Sequence, residues 1–182
     1  MPRTWRKDAF DAAYQQHICT GIFQEEGDYY PRYIARYRDV MELYASLAPA
    51  GKQDVLDIGG GQFAVLASKI WGDNAHMADI GGTHLEALRS VGVTPHQWNL
   101  CNGEAPFDYK FDTIFFSEVL EHLLVSSPVV LARLRRCLKP GGVLICTTPN
   151  LHRLRNVAYM IMGRQIFDFF RTDPLEKGVG HV

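Results

Sequence analysis

Between Pro31 and Leu47 the apolar residues Ile34, Tyr37, Met41, Tyr44 and Leu47 recur at three- and four-residue steps. This predicts a helix with one buried face that ends before Pro49-Ala-Gly51. A short apolar run then predicts a strand over Asp54 to Ile58, interrupted by glycines at 59, 60 and 61. Beyond them Phe63, Leu66, Ala67 and Ile70 fall on one helical face. A second strand ends at Asp79, Thr83-x-x-Glu86 reads as a capping box opening a helix, and Gly92 closes it. A third strand is expected over His96 to Trp98, and a fourth, compact and buried, over Phe111 to Phe116. Pro128 suits a first helical turn, and Val130, Leu134, Cys137 and Leu138 line one face of the segment it starts. Lys139-Pro-Gly-Gly142 is expected to break that helix ahead of a fifth strand, Val143 to Thr147. Asn150 can cap a last helix carrying Leu151, Leu154, Ala158 and Ile161, which Gly163 stops. Strands alternating with helices predict an α/β fold with a doubly wound, mostly parallel sheet.

The turn after the first strand carries the most chemistry. Glycines at 59, 60 and 61 let the backbone bend sharply and approach a ligand, and the helix that follows offers unpaired N–H groups. Gly59-x-Gly61-x-x-Ala64 also satisfies the loose dinucleotide fingerprint. Asp57, just before the glycines, would repel a pyrophosphate, but it suits a cationic ligand or a brace on the loop's own amides. Asp79 stands about 20 residues further on, the offset at which an acid accepts ribose hydroxyls. The two acids suit a ribose bearing a positively charged tail, which is the shape of S-adenosylmethionine.

Composition narrows the picture. A chain of 182 residues, 47% of them hydrophobic, can bury one good core. The formal net charge is −1, and basic residues cluster only in Arg133-Leu-Arg-Arg136 and Arg153-Leu-Arg155, so no nucleic-acid partner and no membrane span are expected. The four cysteines lack metal or redox spacing, which points to a reduced, cytoplasmic protein.

The glycine loop, Asp79, Phe111-Asp112 opening the fourth strand, Ser117-Glu-Val-Leu-Glu-His122 after it and Leu138-Lys-Pro-Gly-Gly142 before the fifth act together as a signature. In combination they resemble the class I S-adenosylmethionine-dependent methyltransferases over roughly residues 51 to 150. The resemblance implies a Rossmann-like sheet ordered 3-2-1-4-5, S-adenosyl-L-methionine as cofactor, and methyl transfer to a small-molecule or glycan-like acceptor at oxygen. It implies that Asp57, Gly59, Gly60 and Gly61 meet the methionine end and Asp79 the ribose, while Asn99 and Leu100 flank the adenine. Ile80 and Ser117 join the cofactor-contacting positions. Asn99 stands where many relatives carry an acid, and Phe63 where a third glycine is frequent. The family has two further strands after the fifth, and the stretch from Leu151 to Val182 leaves no room for both at normal lengths. The sequence is therefore expected to be truncated relative to its gene product, with strands 6 and 7 absent. The expected division is 1–50 as an N-terminal helical cap, 51–150 as the cofactor-binding core, and 151–182 as a helix and the start of a substrate-side cover.

An acceptor hydroxyl needs a base, and His122 leads because it follows strand four at the open end of the sheet, with Glu121 beside it; His152 and His181 come later in the chain. On a helical turn Glu118, Glu121 and His122 would share a face, and with His181 they are a candidate set for Mg²⁺, Mn²⁺ or Zn²⁺. The segment resembles that of metal-assisted ubiquinone-precursor O-methyltransferases and small-RNA 2′-O-methyltransferases. Tyr14, His17, Phe23, Tyr29 and Tyr30 are read as packed core, with a lid over the pocket as the alternative. An NAD-dependent oxidoreductase and a non-catalytic cofactor-binding subunit are the rival functions, and an open edge at strand five would admit a second copy of the chain.

Overall fold

A computed structural model describes residues 1–19, 23, 28–81, 85–150 and 154–164. Five parallel strands, β1 (Asp54–Ile58), β2 (Asn74–Asp79), β3 (Val93–Gln97), β4 (Phe111–Ser117) and β5 (Leu138–Thr147), form one sheet in the order β3-β2-β1-β4-β5. Helix α3 (Gln62–Trp71) connects β1 to β2, α4 (Leu85–Ser90) precedes β3, and α5 (Ser127–Cys137) precedes β5. Helices α1 (Lys7–Ala13) and α2 (Tyr29–Leu47) come before the sheet, and α6 (Leu154–Ile161) follows it. Among the described residues β3 and β5 are the sheet's two edges.

Strand periodicity sends alternate side chains to opposite faces, and each face has its own core. On one side Val55, Met77, Phe115 and Ile145 pack against Phe63 and Leu66 of α3, Met41 and Tyr44 of α2, and Phe10 of α1. On the other side Leu56, Ile58, Ile114 and Phe116 meet Val130 and Leu134 of α5. Each such large apolar side chain contributes about 1.5–3 kcal/mol by leaving water. The N-terminal aromatics belong to the first core: Tyr14 is fully buried, and Phe23 and Tyr30 nearly so.

The N-terminus is tied down by a buried network. Arg3 donates to both oxygens of Asp73 at 2.6 Å, Tyr44 donates its hydroxyl to the same carboxylate at 2.7 Å, and the Gln53 N–H adds a fourth bond at 3.0 Å. This fixes the first residues against the turn between α3 and β2.

Three local expectations need correction. The third strand covers Val93–Gln97 instead of His96 to Trp98; Pro95 lies within it, which an edge strand tolerates because a missing N–H need not break a ladder on both sides. Helix α5 does end ahead of Lys139-Pro-Gly-Gly142, at Cys137, but the fifth strand starts at Leu138 instead of Val143. The ladder starts at Phe111↔Leu138 and resumes at Thr113↔Val143, so these residues form a bulge within β5. A Cβ on Gly142 would lie 3.0 Å from the carbonyl oxygens of Asp112 and Lys139, while Lys139 reaches back to Asp54 at 2.6 Å and Asp112 at 2.8 Å. Helix α2 begins at Tyr29, two residues ahead of Pro31, which sits in its first turn. Thr83 and Leu151 lie outside the described residues. Helix α6 leaves Leu154 and Ile161 exposed.

Candidate active site

All five strands point their carboxyl ends the same way, and the loops there collect most of the residues singled out from the sequence. The glycine turn leaves β1 with φ of +110° at Gly59 and +90° at Gly61. Side chains would also collide there, with Val119 at 3.1 Å from a Cβ on Gly59, and with Leu88 and Met77 at 3.1 Å from one on Gly61. Behind the turn, Asp57 is 2% exposed and its Oδ2 accepts the N–H groups of Phe63 at 2.9 Å and Ala64 at 3.3 Å. It caps the first turn of α3 from a strand position, a task that Gly61 at the cap has no side chain to perform. Burial pushes the Asp57 carboxyl up to about 7, against the two backbone hydrogen bonds that favour its charged form.

Asp79 ends β2 and uses Oδ1 to accept the Gly81 N–H at 2.7 Å. Ile80 beside it is 63% exposed. Asn99 turns the chain after β3, its Oδ1 accepting from Cys101 N at 3.0 Å, and Leu100 is buried in the second core. The Leu100 carbonyl accepts from Arg133 of α5.

After β4 the chain departs from the expected helical turn. Glu118 has φ +55°, the one positive value at a non-glycine among the described residues, and only Leu120–His122 form a turn of 3-10 helix. Glu118, Glu121 and His122 therefore do not share one helical face. Glu118 accepts from Thr147 Oγ1 at 3.0 Å and pairs with Arg36 at 3.5 Å, while Ser117 and Thr147 exchange a hydroxyl hydrogen bond at 2.6 Å. Glu121 lies 3.9 Å from His122 Nε2, and both its carboxylate oxygens are buried without a hydrogen-bond partner among the described residues. No three His, Cys, Asp or Glu side chains gather into a metal site among the described residues, and His181 and His152 lie outside them. The residues present do not fit a metal centre built on Glu118, Glu121 and His122.

Arg36 and Thr147, which meet Glu118 here, were not singled out from the sequence. The signal for Arg36 was its place among Tyr29, Tyr33 and Tyr37 on one side of α2. A separate hollow of 350 Å³ lies at the amino ends of the strands, between Lys52, Asp54, Asp73 and Thr94, remote from the glycine turn.

A parallel 3-2-1-4-5 sheet whose first strand leads through a glycine turn into a capped helix defines a Rossmann-like, nucleoside-cofactor type of α/β protein. Residues 29–177 match the family described as Methyltransferase domain. Ubiquinone biosynthesis O-methyltransferases of Cereibacter sphaeroides strains are 31% identical over 145 residues, covering 76% of this chain and 57% of theirs. The chain thus spans little more than half the length of these curated relatives. A methyltransferase of Thermotoga maritima shares the fold with TM-score 0.55 at 20% identity, over 77% of this chain and 66% of that one. The CcbJ methyltransferase of Streptomyces caelestis does so with TM-score 0.54 at 22% identity, over 74% and 56%. The chain belongs to the class I S-adenosylmethionine-dependent methyltransferase family. Among the described residues no helix is long and apolar enough to cross a membrane.

Proposed function

We propose that this protein transfers a methyl group from S-adenosyl-L-methionine to a small-molecule or glycan-like acceptor at oxygen. The observation that carries the reading is the place of Asp57. A dinucleotide site leaves the first amides of the helix after the glycine turn to the pyrophosphate. Here the amides of Phe63 and Ala64 donate to a buried carboxyl oxygen of Asp57, which occupies them. That favours a cofactor without phosphate over NAD. The glycine turn, with φ of +110° at Gly59 and +90° at Gly61, suits the close approach of the methionine end. The O-methyltransferase relatives support oxygen as the methylated atom.

When bound, the cofactor supplies a methyl group already activated by its sulfonium. The chain's own residues then position and protect. Gly59, Gly60 and Gly61 hold the amino-acid end, Asp79 with Ile80 the ribose, Asn99 and Leu100 the adenine, and Ser117 the side towards β4. Residues 1–50 cap this core of 51–150, while most of 151–182, the expected start of an acceptor-side cover, lies outside the described residues. His122 takes the acceptor's proton, with Glu121 at 3.9 Å as its partner.

Asp79→Ala is expected to weaken S-adenosylhomocysteine binding by about 1–3 kcal/mol, read by calorimetry, because hydrogen bonds to a charged acceptor are lost. His122→Ala is expected to slow turnover by about a hundredfold with S-adenosylhomocysteine affinity unchanged. Equal turnover in that variant would remove His122 from the chemistry. The function itself is tested by incubating protein and cofactor with a metabolite extract and following acceptors that gain the mass of one CH2. Binding of NADH in place of S-adenosylhomocysteine would overturn it.

A further inference from the structure

Two histidines stand side by side near the β3 edge of the sheet. His76 of β2 is in register with Leu56 of β1 and Thr94 of β3, and His96, two residues further along β3, projects to the same face. Tyr109, from the segment leading into β4, reaches both. His76 Nδ1 lies 3.1 Å from His96 Nε2, and the Tyr109 hydroxyl lies 3.1 Å from the first and 3.2 Å from the second. Aromatic neighbours hold the rings in place. Phe111 packs edge-on against His76 with centroids 5.3 Å apart, Phe107 does so against His96 at 5.2 Å, and the two imidazoles stack at 5.4 Å.

Protons satisfy this triangle poorly. An N–H held in its ring plane aligns with one edge and not with two, so the three contacts are not all linear hydrogen bonds. A cation capping the triangle engages all three lone pairs. Donors at about 2.1 Å from one ion, the usual metal–imidazole length, stand roughly 3.0–3.4 Å apart between the octahedral and tetrahedral limits, and the observed edges fall in that range. Burial disfavours the protonated form of both histidines, and the neutral ring is the one that ligates. The Asp54 carboxylate favours positive charge at His76. Tyr109 is 41% exposed and His76 borders the hollow at the amino ends of the strands, which leaves an ion a way in and room for water as a further ligand.

We propose that His76 Nδ1, His96 Nε2 and the Tyr109 hydroxyl bind Zn²⁺, as a clip that ties edge strand β3 to β2 and to the segment ahead of β4. Two imidazole nitrogens suit a late first-row transition ion and not Mg²⁺ or Ca²⁺, which take oxygen. Zn²⁺ has no geometric preference of its own from d-electrons, so it accepts angles between the two limits. This site shares no residue with Glu118, Glu121 and His122, and it does not depend on the methyltransferase reading.

The test is a Zn²⁺ titration of the whole chain after treatment with chelator and dialysis, with affinity read by competition against a chromophoric chelator and the ring nitrogens followed by NMR. One equivalent is expected to move the His76 and His96 imidazole resonances together and to raise the melting temperature. His96→Gln should weaken binding by at least about a hundredfold, beyond what loss of an outer partner of a ligand costs. Tyr109→Phe, which keeps the ring beside Phe107 and Phe111, should weaken it severalfold. Should thermal melting show His96→Gln unfolded, Tyr109→Phe decides by the same criterion. An affinity that either folded variant leaves unchanged overturns the proposal, and so does a failure to bind Zn²⁺ at micromolar concentrations. Zn²⁺ binding that leaves both imidazoles in place would put the ion on cysteines or other surface groups and overturn it as well.

Discussion

Asp73→Ala is expected to destabilise the protein by about 3–5 kcal/mol, a large share of the total stability of a single domain. Asp73 is fully buried as a side chain and receives two bonds from Arg3, one from Tyr44 and one from the Gln53 backbone. Arg3 is itself 2% exposed, and its charge also rests on the carbonyls of Pro49 and Gly51. Truncating the acid leaves a buried guanidinium with no counter-charge, together with an unpaired hydroxyl and an unpaired amide. The cost is set by these orphans more than by the value of the ion pair. Replacing both partners with apolar side chains of similar volume, as in Arg3→Met with Asp73→Leu, should therefore recover a good part of the loss. Urea denaturation of the single and double variants checks both statements. A loss below about 1 kcal/mol for Asp73→Ala would mean that solvent reaches the network.

The elements that sequence reasoning placed well are those whose signal is local. Strand β1 with its glycine turn, the end of β2 at Asp79, and β4 each combine an apolar run with an adjacent breaker, and each lies where expected. The misplaced features depend on partners distant in sequence. Lys139-Pro-Gly-Gly142 does follow the end of α5, but it hides the start of β5, because only the pairing of Leu138 with Phe111 shows that the strand begins before it. Pro95 argues against a strand until β3 is known to be an edge. The gathering of Asp57, Gly59, Gly61 and Asp79 at adjacent strand ends, the proposed cofactor side, was legible because spacing alone brings it about. The proposed acceptor side was not. Glu118, Glu121 and His122 satisfy a helical face on paper, and only the backbone, with φ +55° at Glu118, shows that they diverge. Arg36 meets Glu118 across a sequence gap that no local pattern spans.

Stability is expected to fall as pH rises through the neutral range, and Asp57 is expected to be the cause. Its folded carboxyl is pushed up to about 7 by burial from an ordinary value of 3.8. Between those two values the folded protein holds a proton that the unfolded chain has released. The stabilisation from this group is therefore full below the unfolded value and is lost as pH rises through the folded one. At about 1.4 kcal/mol per unit, the window from pH 4.5 to 7 is worth about 3 kcal/mol. Asp57→Asn keeps an oxygen for the Phe63 and Ala64 N–H groups but cannot ionise. Its unfolding free energy should lack this decline, so the wild-type minus variant difference should shift by about 3 kcal/mol towards the variant between pH 4.5 and 7.5. His76 and His96 share a hydrogen bond at 3.1 Å, and burial lowers both; their contribution is lost as pH falls instead, and it cancels in the difference. Parallel denaturation curves for the two proteins across this range would show that Asp57 is ionised throughout. A cation bound beside Asp57 favours the charged carboxylate, so S-adenosylmethionine binding near pH 6 should release a proton in the wild type and none in Asp57→Asn. Calorimetry in buffers of different ionisation enthalpy measures that release directly, and its absence in the wild type would separate Asp57 from the cofactor's charge.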